Sequence, residues 1–378
     1  MNKCRYAVGV LPKANWRRLL AQNLKKEVRM KALIAMSGGV DSSVAALLMK
    51  DVERIGCTMR LFDKPEEDEH TKSCCSLREV EDARAVCHRL GIPYYVFNFT
   101  EDFREKIIGK FIDSYRSGMT PNPCIDCNRY MKFDKLLLRA RELGCDWVVT
   151  GHYARVEEED GKFLLKKALD PTKDQSYVLY SLTQEQLAHI RFPLGSLSKD
   201  EVRRIARENG FVNADKPDSQ DICFVPDGDY AAFIERSGGA APAGDFVTVD
   251  GEVLGRHKGI SHYTIGQRKH LGISVGEPIY VIEIDAKHNT VVLGDESYLF
   301  RTTAHAADFN WIAGEAPASP VRVSAKTRYR QKEQPATAHP NPDGSVTVIF
   351  DEPIRAITPG QACVLYDGDT VLGGGMIL

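Results

Sequence analysis

A chain of 378 residues, 43% hydrophobic and 27% charged, has the composition of a soluble globular protein and room for two or three domains. It contains no apolar run of about 18 residues, which excludes a membrane-spanning helix and leaves no membrane partner to expect. A formal net charge of −2 confines any nucleic-acid surface to local patches. Ten cysteines without an export signal point to a reducing, cytoplasmic setting, where thiols serve catalysis, metal binding or packing rather than disulfides.

Residues 1–29 carry Lys13, Arg17, Arg18, Lys25 and Lys26 but no apolar stretch of signal-peptide type. They read either as a loose, disordered extension or as a segment ahead of a second start at Met30. The apolar run Lys31–Met36, the turn Ser37-Gly-Gly-Val-Asp-Ser-Ser43 and the run Val44–Met49 predict buried strand, glycine turn and helix. Gly38 and Gly39 let a ligand approach the backbone. The helix start offers unpaired N–H groups and a positive dipole end to an anion. Ser37, Ser42 and Ser43 add hydroxyls, and Asp41 can hold a Mg²⁺ that bridges phosphates. No lysine of Walker type follows these glycines.

Farther along, Ile55–Phe62 reads as a second strand. Residues 76–90 read as a helix with Leu77, Val80, Ala83, Val86, Cys87 and Leu90 on one face. Tyr94–Phe99 is a strand rich in β-formers, 101–116 and 130–143 look helical, and Asp146–Thr150 is a short strand ending in Gly151-His152. This rhythm predicts an α/β, doubly wound parallel sheet whose ligands sit at the carboxyl ends of strands, where residues 37–43, Met59 and Gly151 fall. The Gly/Ala/Pro stretch 237–244 marks a boundary. The chain divides into residues 30–236, a small β-rich central domain at 237–299 and an antiparallel β-barrel at 300–378.

Three cysteines stand apart. Cys124 and Cys127, in Pro121-Asn-Pro-Cys-Ile-Asp-Cys-Asn128, are placed in a turn ahead of a helix, where thiols ionise more readily. Cys223 follows Asp218-Ser-Gln-Asp-Ile222. Packing, zinc binding and sulfur handling compete as readings. Apolar runs do not surround the pair, and no second C-x-x-C or histidine pair completes a zinc site. A C-x-x-C with one distant cysteine suits redox or sulfur chemistry. Cys57, Cys74, Cys75, Cys87, Cys145 and Cys363 read as structural, and Cys4 is given no role.

The glycine turn resembles the pyrophosphate loop of ATP pyrophosphatases, which split ATP between its α- and β-phosphates. Further matches follow in order: T-P-N-P-C-I-D-C-N-R-Y-M-K-F-D at 120–134, T-G-H-Y-A-R at 150–155, K-D-Q-S-Y at 173–177, K-P-D-S-Q-D-I-C-F at 216–224, H-Y-T-I-G-Q-R-K at 262–269, T-R-Y-R-Q at 327–331 and I-T-P-G-Q-A at 357–362. Together they resemble the bacterial-type tRNA-specific 2-thiouridylases from Met30 onward. The resemblance implies adenylation of the C2 oxygen of a tRNA wobble uridine by ATP, then sulfur delivery from a cysteine persulfide. It implies Cys223 as persulfide carrier and Cys127 as nucleophile. It assigns Ala35, Met36, Ser37, Gly38, Gly39, Val40, Asp41, Ser42, Met59 and Gly151 to ATP. Asn122, Pro123 and Cys124 then face the target base, and His152, Lys173, Asp174, Gln175, Arg328, Tyr329 and Gln361 contact tRNA. The implied partners are tRNA and a persulfide donor such as a cysteine desulfurase or sulfur-relay protein.

Chemistry agrees with this division. An AMP ester turns a poor electrophile into one with a leaving group, and a persulfide is a soft nucleophile for it. A second thiol releases the bridging sulfur by exchange. Lys326, Arg328, Arg330 and Lys332 around Tyr329 form a phosphate and stacking surface or a solvated strand face. Arg256, His257, Lys258, Arg268, Lys269 and His270 make a second basic cluster. Some family members carry Asp where this chain has Cys124. With Cys124, Cys127 and Cys223 all present, the mechanistic alternative is a 4Fe-4S cluster on three thiolates. Other classes compatible with the loop alone are a GMP- or argininosuccinate-type synthetase, or an RNA-binding protein with a relic nucleotide site.

Overall fold

The computed structural model describes residues 30–62, 77–217, 222–225, 227–239, 241–274 and 276–378. The readings of residues 1–29, of Cys4, Cys74 and Cys75, and of 218–221 lie outside them. The first region alternates β1 (Lys31–Ala35), α1 (Val40–Leu48), β2 (Glu53–Arg60), α2 (Leu77–Arg89), β3 (Tyr94–Asn98), helical runs α3 (100–116) and α4 (123–142), β4 (Trp147–Val149), β5 (Ala154–Glu159), β6 (Lys162–Lys167), α5 (Gln184–Ala188), β7 (Ile190–Arg191) and α6 (Lys199–Glu208). A short helix α7 (Tyr230–Ile234) follows.

Among these residues a five-stranded parallel sheet runs β3-β2-β1-β4-β7. Side chains of β1 alternate across it. Ala32 and Ile34 join α1, α2 and α6 on one face, while Leu33 joins α3 and α4 on the other. The strand order reverses between β1 and β4, so their carboxyl ends open a crevice for ligand.

Two local expectations are corrected. Leu77 is exposed and Glu79 buried at the start of α2, because this end docks on the glycine turn rather than the core. Cys124 and Cys127 lie inside α4, not ahead of it. Asn122 caps the helix by accepting the Cys124 N–H at 3.1 Å, and Pro123 opens its first turn. From Cys127 to Lys135 the helix widens into π-type turns, a form frequent at functional sites.

The central region is a mixed sheet in the order β10-β11-β8-β9, built from β8 (Gly244–Thr248), β9 (Val253–His257), β10 (Tyr280–Asp285) and β11 (Thr290–Gly294). The last region closes six antiparallel strands into a barrel: β12 (Phe300–Trp311), β13 (Val321–Lys326), β14 (Gln334–Pro340), β15 (Val346–Arg355), β16 (Ala362–Asp367) and β17 (Thr370–Ile377). The hairpin β5–β6, absent from the sequence reading, leaves the parallel sheet and pairs with the edge of β17. Arg155 pairs with Asp369, and Lys167 with Glu333 at 2.7 Å, across this seam.

Candidate active site

The glycine turn is wired into the fold on every side. Met36 is buried, donates its N–H to the Cys57 carbonyl at 2.7 Å and accepts from the Thr58 hydroxyl at 2.7 Å. Val40 is buried as well, so neither side chain is open to a ligand. Gly38 has φ +74, and a Cβ there would stand 2.5 Å from the Glu79 carbonyl oxygen. Asn213 donates to the Gly38 carbonyl at 3.0 Å and the Ser43 hydroxyl at 2.9 Å, and Lys216 reaches the same carbonyl at 3.3 Å. Ser42 donates to the Gly39 carbonyl at 3.0 Å and lies 3.3 Å from the Ser37 hydroxyl. Ala35 ends β1 and Met59 lies near the end of β2, both half-buried at the crevice. Gly151 touches the turn from β4: a Cβ on it would fall 2.8 Å from the Asp41 carbonyl carbon and the Ser42 nitrogen.

Asp41 carries two partners that sequence reasoning missed. Lys199 Nζ lies 2.7 and 2.8 Å from its two carboxylate oxygens, and Tyr153 donates its hydroxyl to Oδ1 at 2.8 Å. A lysine in the first turn of a helix and a tyrosine after a strand carry no local signal for this; only the tertiary fold joins them. A cation already balances this carboxylate, so its charge fits a Mg²⁺ that would take one carboxylate plus substrate phosphates. Tyr153 also joins the next group. Gln175 accepts the Tyr153 N–H on Oε1 at 2.9 Å and donates its own N–H to the Tyr153 carbonyl at 2.9 Å. Asp174 folds back onto Ala168 and Ser176, and Lys173 is half-buried beside it.

The cysteine segment is held from its own region and from the barrel. Gln361 donates its amide to the Thr120 carbonyl at 2.7 Å, and the Thr120 N–H reaches the Pro359 carbonyl at 2.8 Å. Asn128 donates to the Val178 carbonyl at 2.9 Å, and Arg129 pairs with Asp308 of β12. Tyr329 donates to the Asp174 carbonyl at 3.2 Å. Burial raises the Tyr329 phenol, and the nearby Asp174 and Cys124 add to the shift. Cys124, Asp174 and Tyr329 therefore share one neighbourhood.

Arg328 turns the other way. It donates to the Ile265 carbonyl at 3.0 Å and the Thr358 hydroxyl at 2.5 Å, and burial lowers its pKa. Its neighbours Arg330 and Lys332 face solvent. His152 is also interior. Its Nδ1 lies 2.6 Å from the Thr150 hydroxyl and its Nε2 3.3 Å from Lys132 Nζ. Burial first, then Lys132, hold it neutral well below the usual histidine range. The lysine can only donate, so Nε2 is the acceptor and Nδ1 bears the proton.

The thiols sort by environment. Cys57, Cys87, Cys145 and Cys363 are buried, and burial pushes Cys87 and Cys363 up to about 12. Such thiols are inert packing. Cys124 is exposed, while Cys127 and Cys223 are half-buried and pack on one apolar cluster with Phe103, Phe111 and Phe224. Among the described residues no group of three or more His, Cys, Asp or Glu side chains is arranged to hold a metal ion. As placed, the three cysteines do not fit a cluster.

Residues 30–227 match the family model of the tRNA methyl transferase HUP domain, 231–295 that of the tRNA methyl transferase PRC-barrel domain, and 301–377 that of the aminomethyltransferase beta-barrel domain. The tRNA-specific 2-thiouridylase MnmA of Clostridioides difficile (strain 630) is 51% identical over 352 residues, covering 92% of this chain and 98% of its own. The protein of that name from Acetivibrio thermocellus is 51% identical over 358 residues, covering 92% and 99%. MnmA 1 of Thermoanaerobacter sp. (strain X514) is 52% identical over 361 residues, covering 94% and 99%.

Proposed function

The chain belongs to the tRNA-specific 2-thiouridylase family, and on that premise we propose that it converts the wobble uridine of tRNA to 2-thiouridine at the expense of ATP. Methyl transfer, the wording of two matched family models, needs neither a pyrophosphate leaving group nor paired thiols. ATP binds with its phosphates on the turn 37–43, where Asp41 would hold a Mg²⁺ that would supply charge screening. The uridine C2 oxygen attacks the α-phosphorus, and pyrophosphate departs.

Sulfur follows through the two half-buried thiols. Cys223 accepts a sulfur atom from a persulfide donor. Its terminal sulfur attacks C2, and AMP leaves with the C2 oxygen. Cys127 thiolate then attacks the Cys223 sulfur, which frees 2-thiouridine and leaves a Cys127–Cys223 disulfide for a cellular dithiol to reduce. Cys124, Asp174 and Tyr329 line the approach of the target base, and exposed Arg330 and Lys332 meet RNA phosphates. A cytoplasmic location accords with this thiol chemistry, and no helix among the described residues is long and apolar enough to cross a membrane.

The observation that carries the reading is the packing of Cys127 and Cys223, from separate elements, on one apolar cluster beside β1. The test is thiolated tRNA formed with a persulfide donor, read beside pyrophosphate release and iron content after anaerobic preparation. Cys127→Ser is expected to load Cys223 yet form no 2-thiouridine, Cys223→Ser to fail at loading, and both to adenylate tRNA with release of pyrophosphate. Cys124→Ser is expected to retain activity. An inactive Cys124→Ser, with about four irons in the wild type as a cubane cluster holds, would transfer the sulfur role to a cluster.

A further inference from the structure

Strand β12 shifts register once against β17. Ala307 pairs with Met376 and Asn310 with Gly374, so Asp308 and Phe309 together oppose Gly375. Asp308 takes φ +47 in this bulge. Asp160 and Asn289 are left-handed too, but they sit in the turns that join β5 to β6 and β10 to β11. Asp308 lies inside a strand of 12 residues. The chain's one run of three glycines, 373–375, makes room for the bulge. A Cβ on Gly373 would stand 2.2 Å from the Asn310 carbonyl oxygen, and one on Gly375 2.6 Å from that of Ala307. Bulges re-aim side chains, and two polar side chains of this one reach the cysteine helix or the segment beside it. Asp308 accepts from both terminal nitrogens of Arg129, one of them at 3.3 Å. Asn310 donates to the Tyr180 and Leu182 carbonyls at 2.7 and 3.0 Å, and Val178 of the same segment accepts from Asn128. Both residues that follow Cys127 are thus held from the barrel, Arg129 directly and Asn128 through residues 178–182.

Stability does not account for an aspartate at this place. Its side chain is 61% exposed, where an ion pair contributes little. Glycine would hold the same φ without strain. What the aspartate adds is a fixed guanidinium. Arg129 lies 5.5 Å over the Tyr130 ring, and Tyr130 packs on the apolar cluster that carries Cys127 and Cys223. We propose that Asp308 is a positioning residue for the sulfur step: from the bulge of β12 it holds Arg129 and Tyr130, and through them seats Cys127 against the cluster it shares with Cys223. This rests on the reading of Cys127 as the thiol that attacks the Cys223 sulfur.

Single turnovers of the full chain, loaded with sulfur from a persulfide donor and given tRNA and ATP, separate this role from a structural one. Pyrophosphate release, 2-thiouridine release and thermal unfolding are read together. Asp308→Gly should unfold close to the wild-type temperature, because glycine accepts the bulge, and should release pyrophosphate at the wild-type rate. Its 2-thiouridine release should slow roughly ten- to hundredfold, the scale of a displacement of up to about 1 Å. Asp308→Asn keeps an acceptor oxygen in a residue that tolerates this φ, so it should stay within about threefold of the wild type. Asp308→Gly/Arg129→Gln should be no slower than the slower single variant, since the two act as one unit. Undiminished 2-thiouridine release in Asp308→Gly would overturn the assignment. So would an equal loss in Asp308→Asn, or losses that multiply in the double variant. A parallel fall in unfolding temperature and pyrophosphate release would reduce Asp308 to a strut between domains and overturn it as well. Wild-type 2-thiouridine release by Cys127→Ser would instead remove the thiol reading beneath it, and the assignment with it.

Discussion

The turn at 37–43 and the segment 120–127, for which phosphate and sulfur chemistry are proposed, lie in one parallel-sheet region, but they are held differently. Every described partner of the first, from Thr58 and Tyr153 to Lys199, Asn213 and Lys216, belongs to residues 30–227. The second is tied by Gln361, Pro359 and Asp308 of the barrel region. A site whose supports lie in its own domain is pre-organised when that domain folds. A site whose supports lie in another domain acts only when the two are docked. ATP binding should thus be insensitive to the barrel, and sulfur transfer should depend on it.

The strongest way to break this contrast is Gly151→Ala. A methyl group wedged 2.8 Å from the backbone of Asp41 and Ser42 should displace the first turn of α1. Mg-ATP affinity and AMP formation should both fall by roughly a hundredfold, the scale of a misplacement of about 1 Å. Near-normal AMP formation would show that the turn tolerates movement. Arg328→Ala sharpens the other side. It leaves the Ile265 carbonyl and Thr358 hydroxyl without their donor, at about 1–3 kcal/mol of stability. Thiolation should fall while Mg-ATP affinity stays, and the salt dependence of tRNA binding should not change, because an inward guanidinium displaces no counterions. A shallower salt slope would place Arg328 on the phosphates instead.

The smallest effect lies where the two sites meet. His152 joins Thr150, next to Gly151, to Lys132 of the cysteine helix. Its folded pKa lies below the unfolded value near 6.5, so below that pH the unfolded chain binds a proton that the folded one refuses. Stability should be constant above about pH 6.5 on this account and fall by up to about 1.4 kcal/mol per pH unit beneath it, until His152 itself protonates. Thermal unfolding followed from pH 7.5 to 5.5 should show a shallower slope in His152→Asn, and an equal slope would remove the histidine as its source.

These differences also mark what the sequence could disclose. The first turn was legible because glycines, hydroxyls and helix start occupy seven consecutive residues, 37–43, between apolar runs. The parallel sheet was legible from its buried strands. Lys199 was not, since a lysine near a helix start reads as solvated until Asp41 is seen across from it. Leu77 is exposed against expectation because helical periodicity names a face but not the neighbour that covers it. The hairpin β5–β6 escaped because Arg155, Glu157, Lys166 and Lys167 look like a polar loop; their partners Asp369 and Glu333 arrive from the far end of the chain.

That hairpin sets a clock on biosynthesis. Its strands leave the ribosome about two hundred residues before β17, the strand that joins their open edge at Lys166 through Thr370. At roughly 5–20 residues per second, the edge waits on the order of ten to forty seconds for its partner. Such an edge is a template for pairing with other chains. The nascent protein is therefore most prone to self-association after its nucleotide region is made and before its last strand emerges, and a chain cut short in the barrel should precipitate rather than persist as a smaller soluble enzyme.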